Sequence, residues 1–203
     1  MDNVTAIVLA AGLSRRMGSD NKLLLPVSGE PMIVRTLRAY REFCPNVVVV
    51  AGFDAKNLAE CVRHLDLRLT HNPDFAEGQA RSVATGLRAA QGAEHVIVGL
   101  GDQPALTRDH LDTLFQRHIA AGGKKITVPH NGTARGNPIV IPGDMIDQML
   151  EDKQNPGCGK FTRERPDMVH LTPLQDAAFF HDVDTPEDYA ALSQYLPMTE
   201  DAQ

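Results

Sequence analysis

Arg15, Arg16 and Lys22 follow closely on a run of small residues, Ala10-Ala11-Gly12, and this combination suits a polyphosphate. Small side chains let a ligand approach the main chain, whose N–H groups can cradle phosphate oxygens, and fixed cations offset the phosphate charge. Gly18, Ser19, Asp20 and Asn21 add donors between the cations. The spacing matches neither common phosphate-binding turn. Gly12 and Gly18 have five residues between them, and Ser19 stands where a P-loop requires Lys. The G-x-G-x-x-G dinucleotide pattern is also missing. On residue types alone, a plain strand-to-loop turn with solvated arginines remains the alternative.

Carboxylates supply the other half of the chemistry. Asp102 follows the apolar stretch Val96-Ile97-Val98 and Gly99-Leu100-Gly101, and so stands where a strand ends. A carboxylate there can hold Mg²⁺, a hard cation that takes oxygen ligands and bridges phosphates; a turn-forming Asp ahead of Pro104 is the plainer reading. Asp182 and Asp184 lie in His-Asp-Val-Asp-Thr-Pro-Glu-Asp-Tyr, and strand alternation would point both to one face. One of them is a second candidate ligand, with helix capping as the competing role. The histidines form no Ser/His/Asp or metal-binding pattern.

Elements that could hold these groups alternate along the chain. Val4 and Ala6 to Leu9 read as a strand buried on both faces. Pro31 is expected at the first position of a helix carrying Ile33, Val34, Leu37 and Tyr40. Strands are expected at Val47–Val50, Leu67–His71, Val96–Leu100, Ile126–Pro129, Pro138–Ile141, Val169–Leu171 and Phe179–Val183. Helices are expected over Leu58–Leu65, after Gly78, after Thr107, over Met145–Leu150 and from Pro186, with Thr107 and Thr185 as caps. Such alternation predicts an α/β fold, a three-layer sandwich on a mostly parallel, Rossmann-like sheet. Ligands of such sheets bind beyond the carboxyl ends of the strands, where Gly12–Lys22, Gly78–Ser82, Asp102 and Asp184 all fall.

The 203 residues suit one domain, residues 1–197, with a frayed tail at 198–203. Hydrophobic content of 42% and charged content of 23% are those of an ordinary globular protein. A net charge of -6 argues against a general nucleic-acid binder. Cys44, Cys61 and Cys158 are far apart and lack zinc spacing, which fits a reducing compartment. No leader precedes the first strand and no apolar run is long enough to span a membrane, so a cytoplasmic protein is expected.

The segment LAAGLSRRMGSDNK resembles the L-A-[AG]-G-x-[SG]-x-R-M-G-x-x-K signature of nucleotidyltransferases with the nucleotide-diphospho-sugar transferase fold. Within them it is most similar to the MobA-like group, especially the molybdenum cofactor cytidylyltransferases. The resemblance implies that Leu9, Ala10, Ala11, Gly12 and Arg15 line a nucleotide site, and that Arg16 and Lys22 stabilise its phosphates. GLGDQP is similar to the family's G-D-x-P, whose Asp binds the metal, here Asp102. HDVDTPEDY resembles the family's closing motif and offers Asp184 as a further metal ligand. GQARSVATGL resembles the base-reading segment and implies Gly78, Gln79 and Ser82. The Ala-Ala-Gly form, with Ala11, resembles cytidylyl rather than guanylyl relatives and implies CTP. Arg135-Gly136-Asn137-Pro138 resembles the turn that faces the acceptor and implies Arg135 and Asn137. The chain departs from the pattern at Asn155–Phe161, where relatives often read G-D-x-G-A-R and Lys160 stands for the Arg.

The implied reaction is Mg²⁺-dependent transfer of CMP from CTP to a molybdopterin-type acceptor with release of pyrophosphate. The product would pass to a molybdoenzyme or its maturation chaperone, with no role for nucleic acid or membrane. GTP, or a sugar or polyol phosphate acceptor, is the alternative within the fold. A carrier that binds molybdopterin species without turnover is the alternative outside enzymes.

Overall fold

A computed structural model describes residues 3–17, 21–152, 156–192 and 196. Gly18, Ser19, Asp20, Asn155 and the expected tail at 198–203 lie outside them. The first strand, β1 (Val4–Ala10), lies in the interior of the sheet because its residues are apolar in both directions. Val4, Ala6, Val8 and Ala10 enter the core on one face, and Ile7 and Leu9 enter the core on the other. Such a strand needs a helical layer on each side.

Among the described residues the sheet has seven strands. Besides β1 there is a two-stranded ribbon, β2 (Pro26–Val27) with β3 (Glu30–Pro31), and then β4 (Asn46–Ala51), β5 (Arg68–His71), β6 (His95–Leu100), β7 (Ile126–His130), β8 (Ile139–Pro142) and β9 (Val169–Pro173). The main sheet runs β5-β4-β1-β6-β8-β7-β9. β4 and β6 flank β1 in parallel, β5 and β9 continue in parallel at the two edges, and β8 alone runs antiparallel to its neighbours. The expected three-layer, mostly parallel α/β architecture is the one found.

Helices α1 (Met32–Phe43), α2 (Ala55–Val62) and α4 (Arg108–Ala120) cover one face; α3 (Gln79–Ala89), α5 (Ile146–Leu150) and α6 (Cys158–Glu164) cover the other. The short α7 (Pro186–Ala191) closes the described chain. Pro31 caps α1 rather than opening it. α2 starts three residues earlier than its apolar spacing suggests, because Asp54 adopts a left-handed conformation (φ 53°) and turns the chain directly out of β4. Thr107 caps α4 in a reciprocal box with His110, and Thr185 caps α7 with Asp188. No helix among the described residues is long and apolar enough to cross a membrane.

One expected strand is corrected. Phe179–Val183 is not a strand: Asp176 accepts a hydrogen bond from the Ala178 N–H and starts a tight turn over Ala177–Phe179, after which the chain crosses the ends of the sheet. Its apolar residues are buried by that crossing, since Phe179 and Val183 are 1% and 3% exposed. Burial without alternation misled the pattern. α6 lies in the segment that departs from the family motif and carries too short an apolar stripe to be recognised as a helix.

Gly99 in β6 is a point of close approach. A Cβ there would overlap the buried Tyr40 hydroxyl of α1, which has no hydrogen-bond partner. Gly99→Ala is expected to cost about 1–3 kcal/mol by overpacking, measured by urea unfolding. Adding Tyr40→Phe is expected to recover part of the loss.

At the opposite end of the sheet, His118 of α4 is fully buried. Its Nδ1 lies 2.9 Å from Thr127 Oγ1 and its Nε2 3.1 Å from His95 Nδ1. Burial, with His95 on β6 and His170 on β9 adding to it, pushes the imidazole from 6.5 down to about 4. The unfolded chain therefore binds this proton more readily, and stability present above pH 6.5 is lost as pH falls toward 4. The loss from this group is on the order of 2–3 kcal/mol. Unfolding free energies measured at pH 7 and near pH 4 are expected to differ less for His118→Gln than for wild type.

Candidate active site

The site begins where β1 and β6 end. The Gly101 N–H donates to Leu9 C=O at 2.9 Å, and a Cβ on Gly101 would lie 2.9 Å from Ile33 Cδ1 and 3.1 Å from that same carbonyl. A side chain at 101 would separate the strand ends, so glycine lets Asp102 emerge beside the turn that follows β1. That turn is shaped by Ser14, which adopts a left-handed conformation (φ 50°) and accepts the Lys22 N–H on its Oγ at 3.3 Å. Asn21, itself buried, accepts the Leu23 N–H on its side chain and starts a single helical turn over Lys22–Leu24. These bonds set the direction in which Lys22 leaves the backbone.

Lys22 Nζ then meets two carboxylates. It lies 2.5 Å from Asp102 Oδ2 and 2.7 Å from Asp184 Oδ1. Arg16 takes the other oxygen of Asp184, at 2.6 Å. Asp184 arrives because the Val183 N–H donates to Asp102 C=O at 3.0 Å, tying the C-terminal segment to the end of β6. Asp188 holds the far side of the segment by accepting the N–H groups of Asp184 and Thr185. One oxygen each from Asp102, Asp182 and Asp184 lies within 4.8 Å of the others. Asp102 Oδ1 is buried and has no hydrogen-bond partner.

The electrostatics follow from burial. Desolvation pushes the Asp102 carboxyl above the usual carboxylate range, and the pull of Lys22 reduces that shift without cancelling it. Desolvation would lower the Lys22 ammonium, but Asp102 and Asp184 outweigh it and leave it raised. Asp184 is less buried, so Lys22 and Arg16 overcome desolvation and hold its carboxyl low.

A cleft of about 600 Å³ opens above this cluster. Leu9, Ala10, Ala11, Gly12, Arg15, Arg16, Lys22, Gly78, Gln79, Ser82, Asp102 and Asp184 all line it. Arg15 is exposed at its mouth. Asn137 also lines it, but Arg135 does not; Arg135 borders a smaller side cavity of about 210 Å³ shared with Asn137, Cys158 and Thr162. Lys160 borders neither cavity, and pairs instead with Asp152 at 2.6 Å.

Several contributors were not among the expected residues. Ser14 and Phe75 line the cleft, and Phe75 packs where a Cβ on Gly52 would otherwise sit, beside Ala11. Asn72 is 1% exposed; it donates to Ser82 Oγ at 3.0 Å and accepts the Asp74 N–H, holding the loop that leads to Gly78. Its only signal in the sequence is an Asn standing directly after the strand expected at Leu67–His71.

The model of the MobA-like NTP transferase domain matches residues 6–169. The chain belongs to the MobA-like NTP transferase family. It is 29% identical over 192 residues to the molybdenum cofactor cytidylyltransferase of Escherichia coli, covering 93% of this chain and 95% of that one. It is 28% identical over 190 residues to the nicotine blue oxidoreductase of Paenarthrobacter nicotinovorans, covering 91% and 93%. Among solved structures, a nucleotidyl transferase from Methanothermobacter superposes with a TM-score of 0.77 at 22% identity, covering 96% of this chain and 97% of the other. A Mycobacterium tuberculosis protein solved as a manganese complex superposes with a TM-score of 0.65 at 21% identity, covering 96% and 100%. These two share the fold, that of the nucleotide-diphospho-sugar transferases. This MobA-like chain is thus a nucleotidyltransferase by family.

Asn72→Ala leaves the Asp74 N–H and Ser82 hydroxyl without their partner. It is expected to lower the unfolding free energy by about 1–3 kcal/mol and to raise the KM for nucleotide more than it lowers kcat, as measured by steady-state kinetics beside urea unfolding.

Proposed function

We propose that this protein transfers CMP from CTP to a phosphate of a molybdopterin-type acceptor, releasing pyrophosphate, and that it uses Mg²⁺. Residues 1–197 act as one transferase unit in this reading. The observation that carries it is the junction of Lys22 with Asp102 and Asp184 at the floor of a cleft entered from the small-residue turn.

The carboxylate cluster suits a hard divalent cation. Three carboxylates converge, and one buried oxygen of Asp102 lacks a protein partner. Asp102 and Asp184 would hold the ion, with Asp182 in reach. When bound, Mg²⁺ supplies Lewis-acid polarisation of the phosphate oxygens.

The rest of the chemistry falls to the chain. Lys22 and Arg16 neutralise the triphosphate, which lowers the repulsion that an incoming phosphate oxygen meets. That oxygen forms a bond to the α-phosphorus while the bond to the β-phosphate bridging oxygen breaks, and the electron pair leaves with pyrophosphate. Catalysis of this kind is mainly positioning and charge stabilisation. Open main chain at Gly12 and Gly78, where a Cβ would meet nothing within 4 Å, gives the nucleotide room to lie against the backbone. Gln79 and Ser82 frame the base, and Ala11 favours cytosine. Arg135 and Asn137 face the acceptor from the side cavity. The molybdopterin-type acceptor is supported by the likeness to the E. coli enzyme and by the Arg135–Pro138 turn.

The test is pyrophosphate release with Mg²⁺, molybdenum-loaded molybdopterin and each of CTP, GTP, ATP and UTP. Turnover is expected with CTP. Lys22→Ala and Asp102→Asn are each expected to lower kcat by roughly 10²–10³. Full turnover in either variant would overturn the roles given to these residues, and turnover with GTP alone would overturn the choice of base. A reduced nicotinamide dinucleotide belongs in the panel because one relative is named an oxidoreductase. Its oxidation by an added dye as electron acceptor, with no pyrophosphate from any nucleotide, would overturn the transferase reading.

A further inference from the structure

The cations expected to face phosphate are, in this structure, placed on the carboxylates expected to face metal. Lys22 Nζ spans Asp102 Oδ2 and Asp184 Oδ1, and Arg16 holds Asp184 Oδ2. Both oxygens of Asp184 are therefore engaged by side chains of the phosphate turn. The Lys22 contact is the stronger constraint, since its side chain is 11% exposed whereas that of Arg16 is 65% exposed.

Asp102 and Asp184 would hold Mg²⁺ through carboxylate oxygens, and a bound Mg²⁺ draws such oxygens to about 2.0–2.1 Å. An ammonium 2.5 Å from Asp102 Oδ2 and 2.7 Å from Asp184 Oδ1 stands between the two carboxylates that would hold the ion and carries the same sign of charge. Because both oxygens of Asp184 are engaged, an ion held there must displace Lys22 or Arg16, and Lys22 is the buried one. Nor can Lys22 withdraw without cost, because removing it leaves a buried carboxylate unpaired unless another cation replaces it. A nucleoside triphosphate changes this balance by offering Lys22 a second anion within the same cleft, while the metal takes over the charge of Asp102.

We propose that Lys22 is an electrostatic stand-in for the divalent cation, so that metal and triphosphate enter with positive coupling: each makes room for the other by moving Lys22 from carboxylate to phosphate. This rests on the metal-dependent transferase reading above but does not follow from it, because a lysine that lay against phosphate alone, away from the carboxylates, would not compete with the metal for them in the absence of nucleotide. Linkage requires the coupling to be reciprocal. Lys22 is in this sense a positioning residue for the metal as well as a phosphate ligand.

The experiment is Mn²⁺ binding to the nucleotide-free protein, followed by the electron paramagnetic resonance of free Mn²⁺, in wild type, Lys22→Met and Asp102→Asn. Lys22→Met is expected to bind Mn²⁺ roughly tenfold more tightly than wild type, within the usual span of coupled sites. It should also show the larger Mn²⁺-induced rise in melting temperature, since the added ion replaces the lost ammonium. Lys22→Gln, which keeps a polar group against the carboxylates, provides the same comparison if Lys22→Met does not fold. Equal or weaker Mn²⁺ affinity in the Lys22 variants, with binding lost in Asp102→Asn, would overturn the stand-in role and leave the metal site intact. An absence of Mn²⁺ binding in every protein, including wild type with a non-hydrolysable CTP analogue, would overturn the metal reading and this inference with it.

Discussion

The site depends on one contact, the ammonium of Lys22 held between Asp102 and Asp184. Its three members come from the turn after β1, the end of β6 and the segment before α7. No two of them are close in sequence; Lys22 and Asp184 are separated by 162 positions. Asp102 is far enough from water for its charge to need a partner, and the lysine it shares with the more open Asp184 is that partner. Folding must bring these three segments together before the charge of Asp102 is compensated.

The surrounding architecture keeps those segments in place. β1 pairs with β4 on one side and β6 on the other, and its two apolar faces are covered by separate helical layers. Glycine at 101 lets the ends of β1 and β6 stay adjacent, and the Val183–Asp102 hydrogen bond fastens the last segment across them. The interactions nearest the cleft are polar and local: Ser14 with the Lys22 N–H, Asn21 with the Leu23 N–H, Asn72 with Ser82. Apolar packing secures the strands, and these short hydrogen bonds aim the functional side chains.

Much of the fold was legible because its periodicities are strong. The valine run of β4, the apolar stripe of α1 and the threonine caps of α4 and α7 stand where their residue types place them. Legibility failed where burial came without a regular period. The stretch Phe179–Val183 is apolar enough for a strand, yet it turns at Asp176 and crosses the sheet ends. Asp182 and Asp184 still reach the same cleft, but through that crossing rather than by strand alternation. Lys160 illustrates the opposite limit. It stands where relatives often carry an Arg, and Asp152 holds it in an ion pair away from both cavities.

By itself the sequence determined the layered α/β class, most of the main-sheet strands along the chain and the small-residue turn after β1. These follow from local pattern: the alternation or continuity of apolar residues, small residues at strand ends, and capping residues before helices. Tertiary structure alone decided which carboxylates share Lys22, that Asn72 supports Ser82, and that Arg135 faces the side cavity rather than the main cleft. These are long-range relations. They depend on which strands become neighbours and on how the crossing segment is fastened, and a one-dimensional pattern carries no distance between residues so far apart.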